Sequence, residues 1–305
     1  MSTARGALES LAASEGSAIT VLVVDNNGRP DAAAALLAMV SDLSGAAEGK
    51  VNAEWTCYGG RGAIRDVQVA VLQHNDGYAA ACNVGFLRAQ QLRARYVWFL
   101  NNDIRVDTKA CSLLAEFMDR HERAGLAGCT ILTRERSRIE CVGGARLGRW
   151  TLRCRFVTSS CDRIDYVSGA AMFARAAAVE HVGGLPDQYF LFFEDAAFSY
   201  RLLQAGYELA VVADAQATHL GGKTTGSRGA PWRRSALCTY YSSRNAIWFA
   251  REYRSALVTA SVVASRAALC AVLLLGSPRN GIAASKGLFA GVAGRRGTRS
   301  LPVRV

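Results

Sequence analysis

Two adjacent acids, Glu194 and Asp195, follow the apolar run Phe190–Phe193 and stand at the start of a predicted short helix. N-capping and the helix dipole favour a carboxylate at that position, which explains one acid better than two. A carboxylate at the mouth of a semi-apolar pocket can act as a general base toward an alcohol. We therefore interpret this pair as the candidate catalytic residues.

Asp103 and His219 are candidate ligands of a divalent cation. Asp103 follows the strongly apolar segment YVWFL, and His219 follows a predicted strand and precedes Gly221-Gly222. Mg²⁺ and Mn²⁺ take carboxylate oxygens while keeping coordination positions for substrate phosphates. A role in a turn explains an isolated Asp equally well, and an isolated His is more often structural. Asp103 and His219 therefore indicate a cation site only when they are considered together. With the acid pair they favour an enzyme acting on a phosphorylated substrate.

The element pattern predicts an α/β fold that delivers these residues to one edge of a sheet. Predicted strands and helices alternate along the chain, which favours a mostly parallel sheet covered on both faces. Ligands of such sheets bind beyond the carboxyl ends of the strands, where Asp25 and Asp103 are expected. Residues 134–166 are Arg-rich and β-like, and they are expected to form hairpins outside the main sheet. The predicted helices cover residues 3–14, 32–43, 77–95, 107–123, 176–181 and 195–205, and the predicted strands cover residues 18–24, 67–72, 96–100, 126–132, 167–173 and 207–212.

Positive charge is concentrated in the last quarter of the 305 residues. Residues 228–305 contain 13 Lys/Arg and one acid, Glu252, whereas the first 227 residues contain 23 basic and 24 acidic side chains. Such asymmetry indicates an anionic partner, either a membrane or a nucleic acid, and a solvated basic tail is the plain alternative. Half of the residues are hydrophobic and 20% are charged, which excludes wholesale disorder.

The cysteines and the one long apolar run bear on the location of the protein. Nine cysteines without a CxxC pair fit free thiols in a reducing cytoplasm, and no secretory signal is visible at the start. The run Ser255–Gly276 has about the length of a membrane span but carries Arg266 in its middle. A central arginine costs about 3 kcal/mol on insertion scales. A helix on the membrane surface or packed on the domain is therefore favoured over a span.

Six segments in fixed order give the chain a family resemblance. They occur in the order seen in inverting glycosyltransferases of family 2, and they most resemble the rhamnosyltransferase-like branch that builds bacterial surface polysaccharides. The resemblance covers roughly residues 4–250, and six segments in the right order are far more specific than any one of them. The segments are VLVVDNNG, HNDGYAAACNVGFLRA, YVWFLNNDIRVD, the long stretch from DYVSGAAMF to LLQAGY, THLGG and YYSSRNAIWF.

The resemblance implies a GT-A fold and a transfer from a nucleotide-diphosphate sugar. It implies a catalytic domain over residues 1–227, with a donor half to about residue 132 and an acceptor half from about 133, and a basic helical region over residues 228–305. The donor would be a dTDP- or UDP-sugar, with rhamnose suggested by the branch. The acceptor would be a hydroxyl of a glycan or lipid-linked carrier, and the cofactor Mg²⁺ or Mn²⁺.

Residue roles follow from the same resemblance. Asp195 would be the catalytic base, with Glu194 beside it near the acceptor, and Asp103 and His219 would bind the metal. Asn101 stands where many relatives carry a first metal-site acid, so the metal contact is expected to be modest or partly indirect. The loop Gly221–Gly229 would close over the donor. The expected donor-binding residues are Asp25, Asn75, Gly77, Asn83, Asn102 and Asp103, the expected acceptor-binding residues are Ser168, Gly169 and Glu194, and the candidate phosphate-pairing arginines are Arg233, Arg234 and Arg244, the last with an equally weighted structural role.

One departure and two alternatives accompany this interpretation. Relatives begin with a further strand before the first helix, so we expect either that the true start lies upstream or that the first strand of the sheet is missing here. A catalytically degenerate nucleotide-sugar-binding or scaffold protein is the alternative function, although a scaffold has no need for Asp103, Asp195 and His219 together. A nucleic-acid binder would interleave basic and aromatic residues on one surface, which WRRSALCTYYSSRNAIWFAREYR only suggests. We expect no nucleic-acid partner, and a cytoplasmic protein held peripherally on the inner face of the plasma membrane by its basic region.

Overall fold

The computed structural model describes residues 2–44, 47–50, 54–160, 163–221 and 231–294. Helices and strands alternate through the first part of the chain, and three helices follow the last strand. The helices are α1 Ser2–Ala12, α2 Pro30–Ser44, α3 Tyr78–Gln91, α4 Ala110–Arg120, α5 Ala176–His181, α6 Glu194–Gln204, α7 Ala236–Tyr253, α8 Ala256–Gly276 and α9 Pro278–Val292. The strands are β1 Ile19–Asp25, β2 Ala47–Lys50, β3 Trp55–Gly59, β4 Ile64–Val71, β5 Tyr96–Leu100, β6 Ile104–Val106, β7 Ala124–Thr133, β8 Ile139–Val142, β9 Gly144–Leu147, β10 Cys154–Phe156, β11 Tyr166–Val167, β12 Ala171–Arg175 and β13 Glu208–His219.

The described strands form two main sheets. The first has the order β1-β4-β3-β2, and the second has the order β5-β12-β7-β13-β6 with β8 beside β7. A small third sheet, β10-β9-β11, corresponds to the hairpins expected outside the main sheet in residues 134–166, but β8 in the same range pairs with β7 and so belongs to the main sheet. Within the described residues β1 pairs only with β4, and β5 pairs only with β12, so each is an edge strand.

The predicted α/β class with basic C-terminal helices is confirmed, but the predicted direction of the strands is wrong. Only β1 with β4 and β7 with β13 are parallel among the described pairs, and the others are antiparallel. The reason lies in the connections. Parallel neighbours need a long crossover, which α2 supplies between β1 and β4, whereas β3 and β4 are joined by a short turn and therefore run antiparallel.

Strand β7 is the centre of the larger sheet. Its first eight residues are buried, which fits a strand covered on both faces. Gly128 in this strand permits a close backbone approach, because a Cβ atom there would lie 2.2 Å from the carbonyl oxygen of Gly143. Gly143 itself has a φ of 74°, a left-handed conformation that favours glycine. The two glycines thus let the turn before β9 cross directly over the sheet.

The last three helices pack on one another and on the sheet domain. Ser235 and Ser255 cap α7 and α8, since their hydroxyls accept hydrogen bonds from the backbone N–H groups of Cys238 and Val258. Helix α9 approaches α7 through glycines, because a Cβ at Gly287 would lie 2.4 Å from the carbonyl oxygen of Tyr240. Most of α7 is buried. It therefore belongs to the core as much as to the basic region.

We expect Gly128→Ala to destabilise the protein by about 3 kcal/mol, because the added methyl group meets backbone rather than a movable side chain. Gly276→Ala is the matched control, since a Cβ there meets no atom within 4 Å. Urea unfolding of both variants measures the difference. Equal stabilities of the two variants would contradict the close backbone approach at Gly128.

Candidate active site

The acid pair begins α6 beside the backbone of a neighbouring loop. The Oδ2 atom of Asp195 accepts a hydrogen bond from the N–H of Gly169 at 3.0 Å, and its Oδ1 atom accepts one from the N–H of Ala196 at 2.8 Å. A Cβ at Gly169 would lie 3.2 Å from the Asp195 carboxylate, so glycine gives the carboxylate its room. This contact brings Ser168 and Gly169 next to Glu194 and Asp195, and the expected role of these residues in acceptor binding stays a prediction.

Burial makes both acids weaker than ordinary carboxylic acids. Burial, and then the charge of Asp195, raise the pKa of Glu194 well above its usual range. Burial also raises the pKa of Asp195, but the N–H groups of Gly169 and Ala196 oppose that effect. The Oε2 atom of Glu194 is buried and accepts no hydrogen bond within the described part of the chain. The pair can thus hold a proton on Glu194 while Asp195 is ionised.

The turn before the acid pair has an unusual backbone. Phe190, Phe192 and Phe193 have φ values of 63°, 67° and 70°, in the left-handed region that side chains other than glycine rarely adopt. Each such residue costs on the order of 1–3 kcal/mol and persists only where the surroundings enforce it. Gly77 leaves space for this turn, and the N–H of Tyr78 donates to the carbonyl oxygen of Phe190 at 3.0 Å. The aromatic residues thus form a strained turn that is held by its surroundings and that fixes the start of α6.

Asn245 of α7 holds this turn from the other side. Its buried Nδ2 atom donates to the carbonyl oxygens of Tyr189 at 2.8 Å, Leu191 at 2.8 Å and Phe192 at 2.9 Å. Arg244 donates to the Tyr189 carbonyl at 2.9 Å. We call this group of contacts the Asn245 clamp. Sequence reasoning missed Asn245, although it lies in the quoted segment YYSSRNAIWF.

Arg244 has the structural role that was weighed against phosphate pairing. Its side chain is 2% exposed, and its guanidinium lies 4.0 Å from the ring centroid of Trp248 and 4.7 Å from that of Tyr241. A buried guanidinium stacked on aromatic rings supports the turn rather than a solvent-facing ligand.

His219 lies between two carboxylates. Its Nε2 atom is 3.2 Å from Oδ2 of Asp103, and its Nδ1 atom is 3.1 Å from Oε1 of Glu140. The register of the antiparallel strands β6 and β13, which pairs Ile104 with His219, brings these residues together. Burial alone would lower the pKa of His219, but the hydrogen bonds and charges of Asp103 and Glu140 outweigh it and raise the pKa to about 9. Glu140 was not predicted, because nothing in its local sequence marks it.

The Asp103–His219 pair can supply two of the ligands of the expected divalent cation. A carboxylate oxygen and a ring nitrogen 3.2 Å apart can both bind one ion once the ring loses its proton. Glu140 on the other ring nitrogen is the kind of carboxylate that usually orients a metal-binding histidine. No group of three His, Cys, Asp or Glu side chains in the described residues surrounds a common point. The protein would therefore supply two ligands and leave the remaining positions to substrate and water.

A short path of backbone contacts joins the two clusters. Gly169, which binds Asp195, is followed by Ala170, whose carbonyl oxygen accepts from the N–H of Asn101 at 3.0 Å. Asn101 lies two residues before Asp103. On the other side of the loop, the hydroxyl of Tyr78 donates to the carbonyl oxygen of Gly169 at 2.7 Å, a contact that sequence reasoning did not foresee. The Glu194–Asp195 pair and the Asp103–His219 pair thus lie on the two sides of the loop at residues 168–170.

The remaining predicted residues lie in α3, at the end of β1 and in the turn before α3. Asn75 accepts a hydrogen bond from the N–H of Gly77 at 3.0 Å, and Asn26 donates to the carbonyl oxygen of Gly77 at 3.2 Å, which links this turn to the one after β1. Asp25 accepts from the N–H of Asn27 at 3.0 Å. Asn83 is engaged with both backbone groups of Leu185, which is a structural contact.

Two further predictions concern Asn102 and the loop that is expected to cover the donor. Asn102 is exposed and lies next to Asp103, one of the two candidate cation ligands. The expected donor-covering loop falls on residues 222–229, which lie outside the described residues, so that expectation stays a prediction.

Comparison with known proteins bears on the family and on the fold. Residues 96–285 match the model of glycosyl transferase family group 2, and residues 2–140 match the model of glycosyl transferase family 2. No curated protein matches the chain significantly.

Three solved structures resemble the fold at low identity. The mannosyltransferase PcManGT from Pyrobaculum calidifontis, in complex with GDP-Man and Mn²⁺, has a TM-score of 0.56 at 13% identity, covering 97% of this chain and 84% of its own. GalNAc-T7 with UDP, GalNAc and Mn²⁺ has a TM-score of 0.51 at 13% identity and 76% coverage, and S. aureus TarS has 0.50 at 15% and 89%. The chain spans 44% and 40% of the length of these last two proteins. The likenesses confirm the predicted GT-A fold.

We expect Asn245→Ala to lower the free energy of unfolding by roughly 3 kcal/mol, because three carbonyl oxygens lose their shared donor. Asn280→Ala is the matched control, since this buried amide donates to the carbonyl oxygens of Trp232 and Arg234, away from the acid pair. Hydrogen exchange should accelerate across residues 189–195 in the first variant only. Unchanged exchange there would contradict the clamp.

We expect Glu194→Gln to stabilise the protein above pH 7 by about 2 kcal/mol and to be nearly neutral at pH 4. The pKa of Glu194 is raised in the folded state, so the folded protein holds a proton that the unfolded chain has lost. Stability is therefore lost as the pH rises above the usual glutamate range of about 4.3. Urea unfolding at both pH values measures this change, with Glu180→Gln on the exposed end of α5 as control. A pH-independent effect would contradict the assignment.

Proposed function

Because the chain belongs to glycosyl transferase family group 2, we propose that it is an inverting glycosyltransferase with Asp195 as its base. One observation carries the proposal: the Asp195 carboxylate and the Asp103–His219 pair flank the same loop at residues 168–170. A base and a cation site on the two sides of one loop fit an alcohol that attacks a sugar diphosphate. The proposed donor is a dTDP- or UDP-sugar, rhamnose by the branch resembled, and the proposed acceptor is a hydroxyl of a glycan or lipid-linked carrier in surface polysaccharide synthesis.

The proposed chemistry is a single displacement. The Asp195 carboxylate takes the proton of the acceptor hydroxyl while that oxygen forms a bond to the anomeric carbon. The bond from the anomeric carbon to the diphosphate oxygen breaks, and the nucleoside diphosphate leaves with the electron pair. Attack from the face opposite the leaving group inverts the configuration. The N–H of Gly169 keeps the Asp195 carboxylate in place throughout.

Glu194 has a different part from its neighbour. Its buried carboxyl, kept protonated by burial and by the charge of Asp195, can donate a hydrogen bond to an acceptor oxygen without competing for the proton in transfer. Glu194 is therefore proposed as an acceptor-binding residue, with Ser168 and Gly169 beside it.

Asp103 and His219 are proposed to hold Mg²⁺ or Mn²⁺, with Glu140 orienting the histidine ring. A bound divalent cation would offset the charge that develops on the diphosphate leaving group. Asp25, Asn75, Gly77 and Asn102 are proposed to form the donor side. PcManGT and GalNAc-T7 were solved with Mn²⁺ and with nucleotide or nucleotide-sugar ligands, which supports a donor of this class.

We expect Asp195→Asn to lower kcat at least 100-fold while donor binding persists, because general-base catalysis contributes roughly 10²–10⁴. Turnover against a panel of nucleotide sugars with glycan and lipid-linked acceptors, together with calorimetric donor titration, measures both quantities. Asp187→Asn is the matched control, since Asp187 is exposed in the same segment before the aromatic turn.

Two results would overturn the proposal. Full turnover by Asp195→Asn would remove Asp195 as the base. Donor binding by the unaltered protein without turnover on any acceptor would instead favour the degenerate binding protein. The anomeric configuration of the product, read by NMR, tests inversion independently.

A further inference from the structure

Helix α8 exposes an apolar face along its whole length. Leu257 is 68% exposed, Val272 61% and Leu275 91%. In the described residues α8 is the one helix whose length and composition would allow it to cross a membrane. Its single charged residue, Arg266, donates to the carbonyl oxygen of Thr151 at 3.1 Å and does not join this face. A soluble surface has no need for a charge-free apolar strip of this length.

Helix α9 continues the apolar face. Ile282, Phe289 and Val292 are each at least half exposed, and their spacing of seven and three residues puts them on one side of the helix. The opposite sides of both helices are used inside the protein, because Cys270 and Leu273 of α8 pack with Ala284 of α9. We call the outward side of the two helices the α8–α9 face.

Cations and a tryptophan border one end of the face. Trp232 is 57% exposed, and Arg233, Arg234 and Arg279 have exposed positions around the turn between α8 and α9. The side chain of Asn280 fixes this arrangement through the carbonyl oxygens of Trp232 and Arg234. Tryptophan and arginine beside an apolar strip are typical of a surface that meets lipid head groups.

Two further arginines border the other end. Arg251 and Arg254 line an open groove of about 670 Å³ together with small apolar residues of α8. Two of those, Ala260 and Ala264, are exposed and belong to the face itself. The one acid of residues 231–294, Glu252, accepts hydrogen bonds from the hydroxyls of Tyr189 and Tyr253. Positive charge therefore dominates both ends of the face.

We propose that the α8–α9 face docks on an anionic lipid bilayer, with both helices lying along the membrane surface. Apolar side chains would enter the bilayer interface while the bordering arginines meet the lipid phosphates. A second copy of the chain fits less well, because a symmetric contact would bring arginines of both copies together. Crossing the membrane fits less well, because Val258, Val262 and Arg266 hold α8 against the rest of the protein. The proposal does not depend on the proposed transfer reaction.

Vesicle sedimentation of the full chain tests the proposal. We expect binding to phosphatidylcholine vesicles that contain phosphatidylglycerol, weakening at high salt, and little binding to phosphatidylcholine alone. Leu275→Asn and Phe289→Asn should each weaken binding roughly tenfold. Both side chains are mostly exposed, so the variants should fold. Arg279→Gln should weaken binding roughly fivefold. Leu203→Asn is the matched control on α6, because Leu203 is an exposed leucine away from this face.

Three outcomes would overturn the proposal. Leu275→Asn and Phe289→Asn binding as tightly as the control would exclude the face as the contact. Self-association through the face, seen by light scattering without vesicle binding, would make it an interface between copies. Resistance of the membrane-bound protein to extraction with alkaline carbonate would show a spanning helix rather than a docked one.

Discussion

The candidate site depends on one side-chain amide. Asn245 spreads two N–H donors over three carbonyl oxygens of a turn that holds three left-handed aromatic residues. Without these donors the turn would combine backbone strain with unsatisfied buried carbonyl groups, which is a costly combination. The position of Glu194 and Asp195 follows from that turn, since α6 begins where it ends. Hydrogen bonds from a single side chain of α7 therefore set the position of the two candidate catalytic acids.

Charge is distributed in opposite ways in the two clusters. Around α6, two buried acids lie side by side, and the charge of Asp195 adds to burial in raising the pKa of Glu194, whereas around β13 a histidine ring lies between two acids that both raise its pKa. Burial disfavours the charged form in both clusters, and the two differ because a histidine lies between the carboxylates at β13, where their hydrogen bonds and charges outweigh burial. The proposed base and the proposed cation-binding pair thus lie on the two sides of a single loop.

The sequence allowed the acids and the histidine to be predicted because the acids follow recognisable apolar runs and the histidine lies between a predicted strand and two glycines. It did not allow Glu140, Tyr78 or Asn245 to be predicted, since their partners lie 79, 91 and 53 to 56 residues away. The strand direction was missed for a similar reason. An apolar strand has the same local pattern in a parallel and an antiparallel sheet, and only the length and path of its connection decide between them.

Helix α7 contacts the aromatic turn on one side and α9 on the other, where Gly287 brings the two backbones close. Because α7 is packed tightly against both, the position of α9 fixes the position of the aromatic turn. If α9 rests on a bilayer, the acid pair acquires a fixed height and tilt above it. The proposed enzyme would then select acceptor hydroxyls by their distance from the lipid surface. This selection would be independent of the shape of the sugar-binding pocket.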